Sequence, residues 1–451
     1  MAMARWSHLV PSRTQKLSTA VAKVSPWERI ARRRAFFFLP PFASSFRSFM
    51  PYNCPMKFGL VKLRSALSAE DTDLEAESKA FLSSINPKKE YGFVKARKDL
   101  FNLFYVQTGG SEIYFKDLYE RYPEPYYLLV TGTRNSLAAS LEILSFLHQQ
   151  GKQGKILQGS PEQIAIELSA LSKAISAKER FASARFARIG VPSDWLIASS
   201  VEKKALKKRF GATLIDIPTS TLNEWIDAHR LDNEKDYEAL KGKTRRKSDL
   251  RESFYIDSAL RFLVSNNRLD GFTLRCFDLL QTYQQTSCIS FGLLNRDGII
   301  AGCEGDVPAM LTMYLAKALT GQSSFMANPA RIDVEKKEAV YAHCTCPLDM
   351  LSSFALTTHF ESGLGFGIKG EFFLGPITCV KFSSDLSKLR VLRGEIIDNL
   401  SESTLCRSQI VVRFSDPIDG VLEDPFGNHM IFLYGDHAKE FEAFKALCHL
   451  R

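Results

Sequence analysis

Apolar and polar positions follow two different patterns along this chain. Up to about residue 350, short apolar runs alternate with stretches of helical period. The runs Lys57 to Lys62, Tyr126-Tyr127-Leu128-Leu129-Val130, Lys155-Ile156-Leu157, Arg188-Ile189-Gly190-Val191 and Thr213 to Ile217 predict buried strands. Between them, helices are expected over Asp73 to Ser83, over residues following Ser136, from Pro161 to about Arg185, and around Val201 to Phe210. In the second of these Leu137, Leu141, Leu144 and Phe146 are expected to face inward, with Gly151 as the stop. In the third, Ile164, Leu168, Leu171 and Ile175 form one stripe on a helix expected to link two domains. Helical character is also expected through Phe272 to Tyr283. Alternating strands and helices imply open, mainly parallel sheets with helices on their faces.

From about Leu351 the pattern changes. Gly363, Gly365, Gly367, Gly370 and Gly375 punctuate short apolar segments, and Ile377 to Phe382, Gln409 to Phe414 and Met430 to Tyr434 read as strands. Such runs between turn residues indicate an antiparallel barrel or sandwich. A last helix is expected over Ala438 to Leu447.

Between the two regions lies the stretch Gly298 to Met313. Its first half, Gly298-Ile299-Ile300-Ala301-Gly302-Cys303, reads as a buried strand, and a helix is expected from Asp306 onward. Asp306 is the N-cap, Pro308 sits in the first turn, and Gly321 lies just past the end. Glu304 falls in the turn between strand and helix. In α/β folds ligands collect beyond the carboxyl ends of strands, and a helix N-terminus favours a carboxylate there by about 0.3–1 kcal/mol. Glu304 is therefore a candidate metal ligand or catalytic base.

Length and charge sharpen this picture. A chain of 451 residues suggests two to four domains. Its net charge of +9 is concentrated at the start, where residues 1–55 hold nine Lys or Arg against the single acid Glu28. The remainder carries only +1. Residues 1–55 are rich in Arg and Ser, which fits an organellar targeting segment, mitochondrial or plastid, or a disordered extension. Without such a segment the expected location is the cytoplasm. The apolar patch at residues 35–42 is too short and too proline-broken to span a membrane. The charge run at residues 241–247 lacks interleaved aromatics and has acids on both sides, so neither a membrane nor a nucleic-acid partner is expected. Nine scattered cysteines argue against a disulfide framework, and His343-Cys344-Thr345-Cys346 has no second pair at zinc spacing.

Four segments taken together carry a resemblance: Cys303-Glu304-Gly305-Asp306, Ser324-Phe325-Met326-Ala327-Asn328-Pro329, Ala342-His343-Cys344-Thr345-Cys346-Pro347 and Gly427-Asn428-His429. They resemble the L-fucose and L-arabinose isomerase superfamily, and more closely its fucose isomerase-like branch. The resemblance implies two Rossmann-like parallel-sheet domains, at 56–185 and 186–348, followed by a β-barrel-like domain at 349–451. It also implies a homo-oligomer, a small sugar substrate, and Mn²⁺ or another divalent cation supporting aldose–ketose interconversion through an enediol. Glu304 matches the Glu of the Glu-Gly-Asp motif, a metal ligand and acid/base; His343 and His429 match ligand histidines.

Where those enzymes place a second carboxylate after the Phe-Met pair, this chain has Ala327-Asn328. Asn328 can offer a carbonyl oxygen to a metal but cannot act as a base. Asp333 is the candidate replacement, and Asp306, Trp195, His359 and Glu361 are candidate substrate contacts. A non-catalytic carbohydrate-binding or regulatory protein on the same scaffold is the alternative expectation.

Overall fold

The computed structural model describes residues 56–66 and 72–451, so the expected targeting or disordered segment at 1–55 lies outside the described residues. Five parallel strands make the first sheet: β1 (Met56–Leu63), β2 (Tyr91–Lys95), β3 (Asn102–Val106), β4 (Tyr126–Val130) and β5 (Gly154–Leu157), in the order β2-β1-β3-β4-β5. A second parallel sheet holds β6 (Arg185–Ile189), β7 (Thr213–Ile217), β8 (Gly271–Leu274) and β9 (Ile300–Cys303), in the order β7-β6-β8-β9. The expected α/β alternation is therefore present twice.

Two readings of the first half need correction. The helix Ser136–Gln149 buries Ala139, Ser140, Ile143 and Leu147, while Leu141 is exposed. Small residues let that face approach the sheet, so the larger leucines alone misplaced the stripe. Residues 271–274, expected within a helical stretch, form β8, and the helix there is only Phe277–Tyr283. Four wholly buried residues in a central strand show no alternation to read.

The β-rich part begins earlier than residue 349. Strands β10 (Phe325–Asp333) and β11 (Glu338–His343) already belong to a closed six-stranded antiparallel barrel. After them β12 (Leu351–Thr357) and β13 (Gly367–Phe372) pair as a separate two-stranded sheet. The barrel is completed by β14 (Gly375–Phe382), β15 (Leu389–Asn399), β16 (Ser408–Phe414) and β17 (Met430–Tyr434), in the order β10-β11-β16-β15-β14-β17. Closure removes the free edges that an open antiparallel sheet would expose. Its interior is filled by Phe325, Tyr341, Ile377, Cys379, Ile410, Val412 and Phe432, all essentially inaccessible to solvent.

The helix Val307–Thr320 joins sheet and barrel. It starts as expected, with the Asp306 side chain accepting a hydrogen bond from Ala309 N–H at 2.7 Å, and it stops at Gly321 in the left-handed conformation. Residues 307–316, 318 and 319 are all buried, because the second sheet packs on one side and β14 and β17 on the other. Burying each large apolar side chain contributes roughly 1.5–3 kcal/mol, so this helix is a principal source of cohesion. Thr312 is the polar exception. Its hydroxyl donates to Pro308 C=O and accepts from Phe382 N–H, fastening the helix to β14.

The helix Pro161–Ser183 carries a capping box between Ser160 and Gln163. Its Phe181 meets Tyr314 edge to face, and Lys178 Nζ donates to the Leu447 carbonyl at the end of the last helix, Ala438–Leu447. The expected linker helix thus docks against both the second sheet's helix and the C-terminal helix.

Candidate active site

Glu304 sits in a turn of two left-handed residues, itself at φ 62° and Gly305 at φ 78°. Such a conformation in a non-glycine residue costs of order 1–3 kcal/mol and persists only where its surroundings enforce it. Here Ser193 N–H donates to the Glu304 carbonyl at 2.9 Å, and Asp306 N–H donates to Cys303 C=O at 3.1 Å. Gly305 is required for a second reason, since a Cβ on it would lie 2.6 Å from Pro192 Cα. Gly305→Ala is accordingly expected to lower unfolding stability by about 1–3 kcal/mol, read as an earlier midpoint in denaturant. An unchanged midpoint would show that the turn is not enforced.

This turn lifts the Glu304 carboxylate towards the barrel mouth. Strand β10 pairs with β11 on one side and β17 on the other. That arrangement brings His343, the last residue of β11, beside His429, which precedes β17, with ring centroids 5.5 Å apart. His429 Nε2 lies 3.6 Å from Glu304 Oε1, and His343 Nε2 lies 4.0 Å from the same oxygen. All three residues are buried. The expected ligand residues Glu304, His343 and His429 therefore meet, and one ligand atom from each falls within 4.8 Å of the others.

The donor set fits a divalent cation. Ligands at about 2.0–2.2 Å from a common ion are mutually separated by distances of this order. His429 Nε2 is a buried nitrogen without a hydrogen-bond partner, while its Nδ1 bonds Asp306 Oδ2 at 2.9 Å. An imidazole whose far nitrogen is held by a carboxylate presents its lone pair in a fixed direction, as in many metal sites. His343 Nδ1 faces the Thr345 hydroxyl at 2.7 Å and receives its backbone N–H at 3.1 Å. A nitrogen that accepts this backbone N–H carries no proton of its own, so in the neutral ring the proton sits on Nε2 and ligation through Nε2 would displace it.

Electrostatics set the charge of each group. Burial pushes the Glu304 carboxyl up, but His429, His343 and the Trp195 indole outweigh it and hold its pKa at about 2. Burial, helped by His429, holds His343 neutral with a pKa lowered to about 3. Burial opposes the charged form of His429 as well, yet Asp306 and Glu304 on either side raise its pKa. The two carboxylates thereby draw the His429 imidazole towards its protonated form, with Nε2 facing the Glu304 carboxylate.

Beneath the histidine is a residue that the sequence reading did not single out. Lys381, on β14 and completely buried, places Nζ 3.2 Å from Asp306 Oδ2. Asp306 is equally buried; burial works against its charge, and Lys381, His429 and the Ala309 N–H together hold its pKa at about 2. The signal was available in Cys379-Val380-Lys381-Phe382, a lone cation within an apolar strand. Asp306, expected as a substrate contact, is engaged by His429 Nδ1 and Lys381 Nζ.

The other candidates divide. Trp195 donates its indole N–H to Glu304 Oε2 at 2.7 Å while the residue remains 53% exposed. Its ring meets Phe277 edge to face at 5.0 Å, and Phe277 meets His359 in the same way at 5.4 Å. These three side chains form one wall beside Glu304. Glu361 follows two residues after His359; the residue is largely exposed, and partial desolvation of its carboxyl, then the Glu304 charge, raises its pKa. Asn328 lies on β10 with its Oδ1 accepting from Asn428 Nδ2 at 2.9 Å, next to His429 in sequence.

Asp333 is not brought to the cluster. It pairs with Glu338 at the turn of the β10–β11 hairpin, whereas Asn328 pairs with Ala342 at the other end, about 15 Å away by strand rise. Its carboxylate accepts from Lys336 N–H and forms an ion pair with Lys336 Nζ at 3.0 Å. The register shifts between Pro329 and Arg331, but Asp333 stays at the hairpin turn with its carboxylate engaged by Lys336, away from Glu304.

No family model matches the chain. The chain is 20% identical over 327 residues to sulfoquinovose isomerase of Priestia aryabhattai, covering 67% of this chain and 72% of the relative. The chain resembles known sugar isomerases. The sulfoquinovose isomerase of Priestia megaterium (strain ATCC 12872 / QMB1551) gives the same values. That of Clostridium sp. (strain MSTE9) is 27% identical over 314 residues, 65% of this chain and 70% of the relative. No described helix is long and apolar enough to cross a membrane.

Proposed function

We propose that this protein is a metal-dependent aldose–ketose isomerase of the fucose and arabinose isomerase superfamily, acting through an enediol. The observation that supports it most is the buried Glu304, His343 and His429 group with its unpartnered His429 nitrogen. The similarity to sulfoquinovose isomerases supports the reaction class. A divalent cation bound by these three residues, Mn²⁺ in the first instance, would polarise the sugar carbonyl and stabilise the enediolate charge.

The chain's own residues supply the rest. His429, fixed by Asp306 and in turn by Lys381, and His343, fixed by Thr345, hold the ligand geometry. Trp195 fixes the second oxygen of Glu304 and, as a half-exposed residue, offers a ring face against which a sugar can lie. Glu304 carries the proton between neighbouring carbons on its side of the sugar. Glu361, whose carboxyl pKa is raised by partial burial and by the Glu304 charge, is the candidate for the second acid that Ala327-Asn328 does not provide.

A second reading, sugar binding without turnover, is favoured by one observation: Asp333 is held in a remote turn and Asp306 is fully engaged, which leaves Glu304 without a second buried acid. Both readings are separated by incubating the full-length chain with Mn²⁺ and a panel of aldoses and ketoses in D₂O. Deuterium is expected at C2, lost on chelation and restored by adding Mn²⁺. Stoichiometric Mn²⁺ and sugar binding without any exchange would overturn the isomerase reading in favour of the second.

A further inference from the structure

The wall that begins at Trp195 and passes through Phe277 to His359 ends at a cation. Arg407 donates from Nε to the Thr358 carbonyl at 2.8 Å and from Nη2 to the Thr358 hydroxyl at 3.2 Å. Its guanidinium also faces the Phe360 ring, 5.5 Å from the centroid. The side chain is thus held on both sides of His359 in sequence. It is tied to the ligands by register as well, because its neighbour Ser408 pairs with His343 across β11 and β16. Burial and the Arg407 charge lower the His359 pKa to about 4 while Glu304 pulls it up, so both charges act on the same ring.

Arg407 differs from the other cations near this wall in having no carboxylate. Lys381 faces Asp306, Arg275 faces Asp194 and Asp278, and Arg246 faces Asp249. Among the described residues no carboxylate forms an ion pair with Arg407, and its Nη1 makes no hydrogen bond to them. A guanidinium that is positioned by neutral oxygens, backed by an aromatic ring and left with an uncommitted N–H edge, is suited to hold an incoming oxyanion.

We infer that Arg407 is a specificity-determining residue that recognises an anionic group, a sulfonate, phosphate or carboxylate, carried by the sugar away from its reacting carbons. The inference rests on the isomerase reading for the position of those carbons and extends it by naming the class of sugar. It agrees with the sulfonated sugar named in the relatives. It gives Arg407 a binding role: the residue acts on the substituent and leaves proton transfer to other groups.

The test uses the full-length chain with Mn²⁺, as wild type, Arg407→Gln and Arg407→Lys. Sulfoquinovose, glucose 6-phosphate, glucuronate and glucose are compared both by C2 deuterium exchange and by equilibrium binding. Arg407→Gln is expected to raise KM and Kd about 10- to 100-fold for the preferred anionic sugar, with kcat nearly unchanged and glucose unaffected. Arg407→Lys is expected to recover part of the loss, and the anion with the largest loss identifies the substituent. Equal losses on glucose and the anionic sugars, no loss on any, or wild type that prefers glucose would each overturn the inference. Exchange that persists while Arg407 proves indifferent leaves the isomerase reading standing alone. Binding of the anionic sugar that depends on Arg407, without exchange, keeps this inference and removes the isomerase.

Discussion

Glu304→Gln is expected to abolish deuterium incorporation at C2 of the substrate, with a fall in kcat of at least about 10³-fold. The substitution keeps the volume of the side chain and its hydrogen bond to the Trp195 indole, since the amide oxygen can still accept. It removes a negative charge that two imidazoles and an indole hold at a pKa near 2, and with it the base. The same change takes away the only carboxylate of the ligand group, so the Kd for Mn²⁺ is expected to rise by more than about tenfold. The fold is expected to survive, because removing a buried charge also relieves its desolvation. A variant with wild-type exchange would place the proton transfer on another residue. A variant with no exchange but an unchanged Mn²⁺ affinity would separate the base from the ligand.

The second large effect concerns stability. Lys381→Met is expected to lower the unfolding free energy by about 3–5 kcal/mol, because it leaves Asp306 buried beside His429 without its cation. The double variant Lys381→Met with Asp306→Asn removes both charges and is expected to recover much of that loss while still weakening Mn²⁺ binding through His429. Denaturant titration of the three proteins closes the cycle. If the single Lys381 variant unfolds like wild type, the pair is not the buried ion pair described here.

These two expectations differ in how far the sequence announced them. Glu304 stands at a strand-to-helix junction whose signals are local: an apolar run, Asp306 as cap, Pro308 in the first turn and Gly321 past the end. Each works through hydrogen bonds and backbone angles within a few residues, so the junction was legible without any tertiary information. The strands Tyr126–Val130, Thr213–Ile217 and Met430–Tyr434 and the helix Ala438–Leu447 were legible for the same reason. Strand β8 was not, because a central parallel strand is buried on both faces and loses the alternation that marks a strand.

The motif resemblance named Glu304, His343 and His429 one at a time, and barrel closure makes them neighbours by placing β10 between β11 and β17. Strand pairing also decides against Asp333, which is only five residues from Asn328 in the chain but sits at the opposite end of the hairpin. Along a strand, sequence distance is spatial distance, and across paired strands it is not.

What the sequence by itself determined is the local grammar: the β-α alternation, the change to short glycine-punctuated strands, and a carboxylate set at the mouth of a capped helix. What only the tertiary structure decided is which charges share one buried space. Lys381 lies 75 residues from Asp306, and His429 lies 123 residues from it. Ionised groups so deeply buried are stable only in one another's company, and that company is set by strands that pair across the barrel and by the helix they enclose.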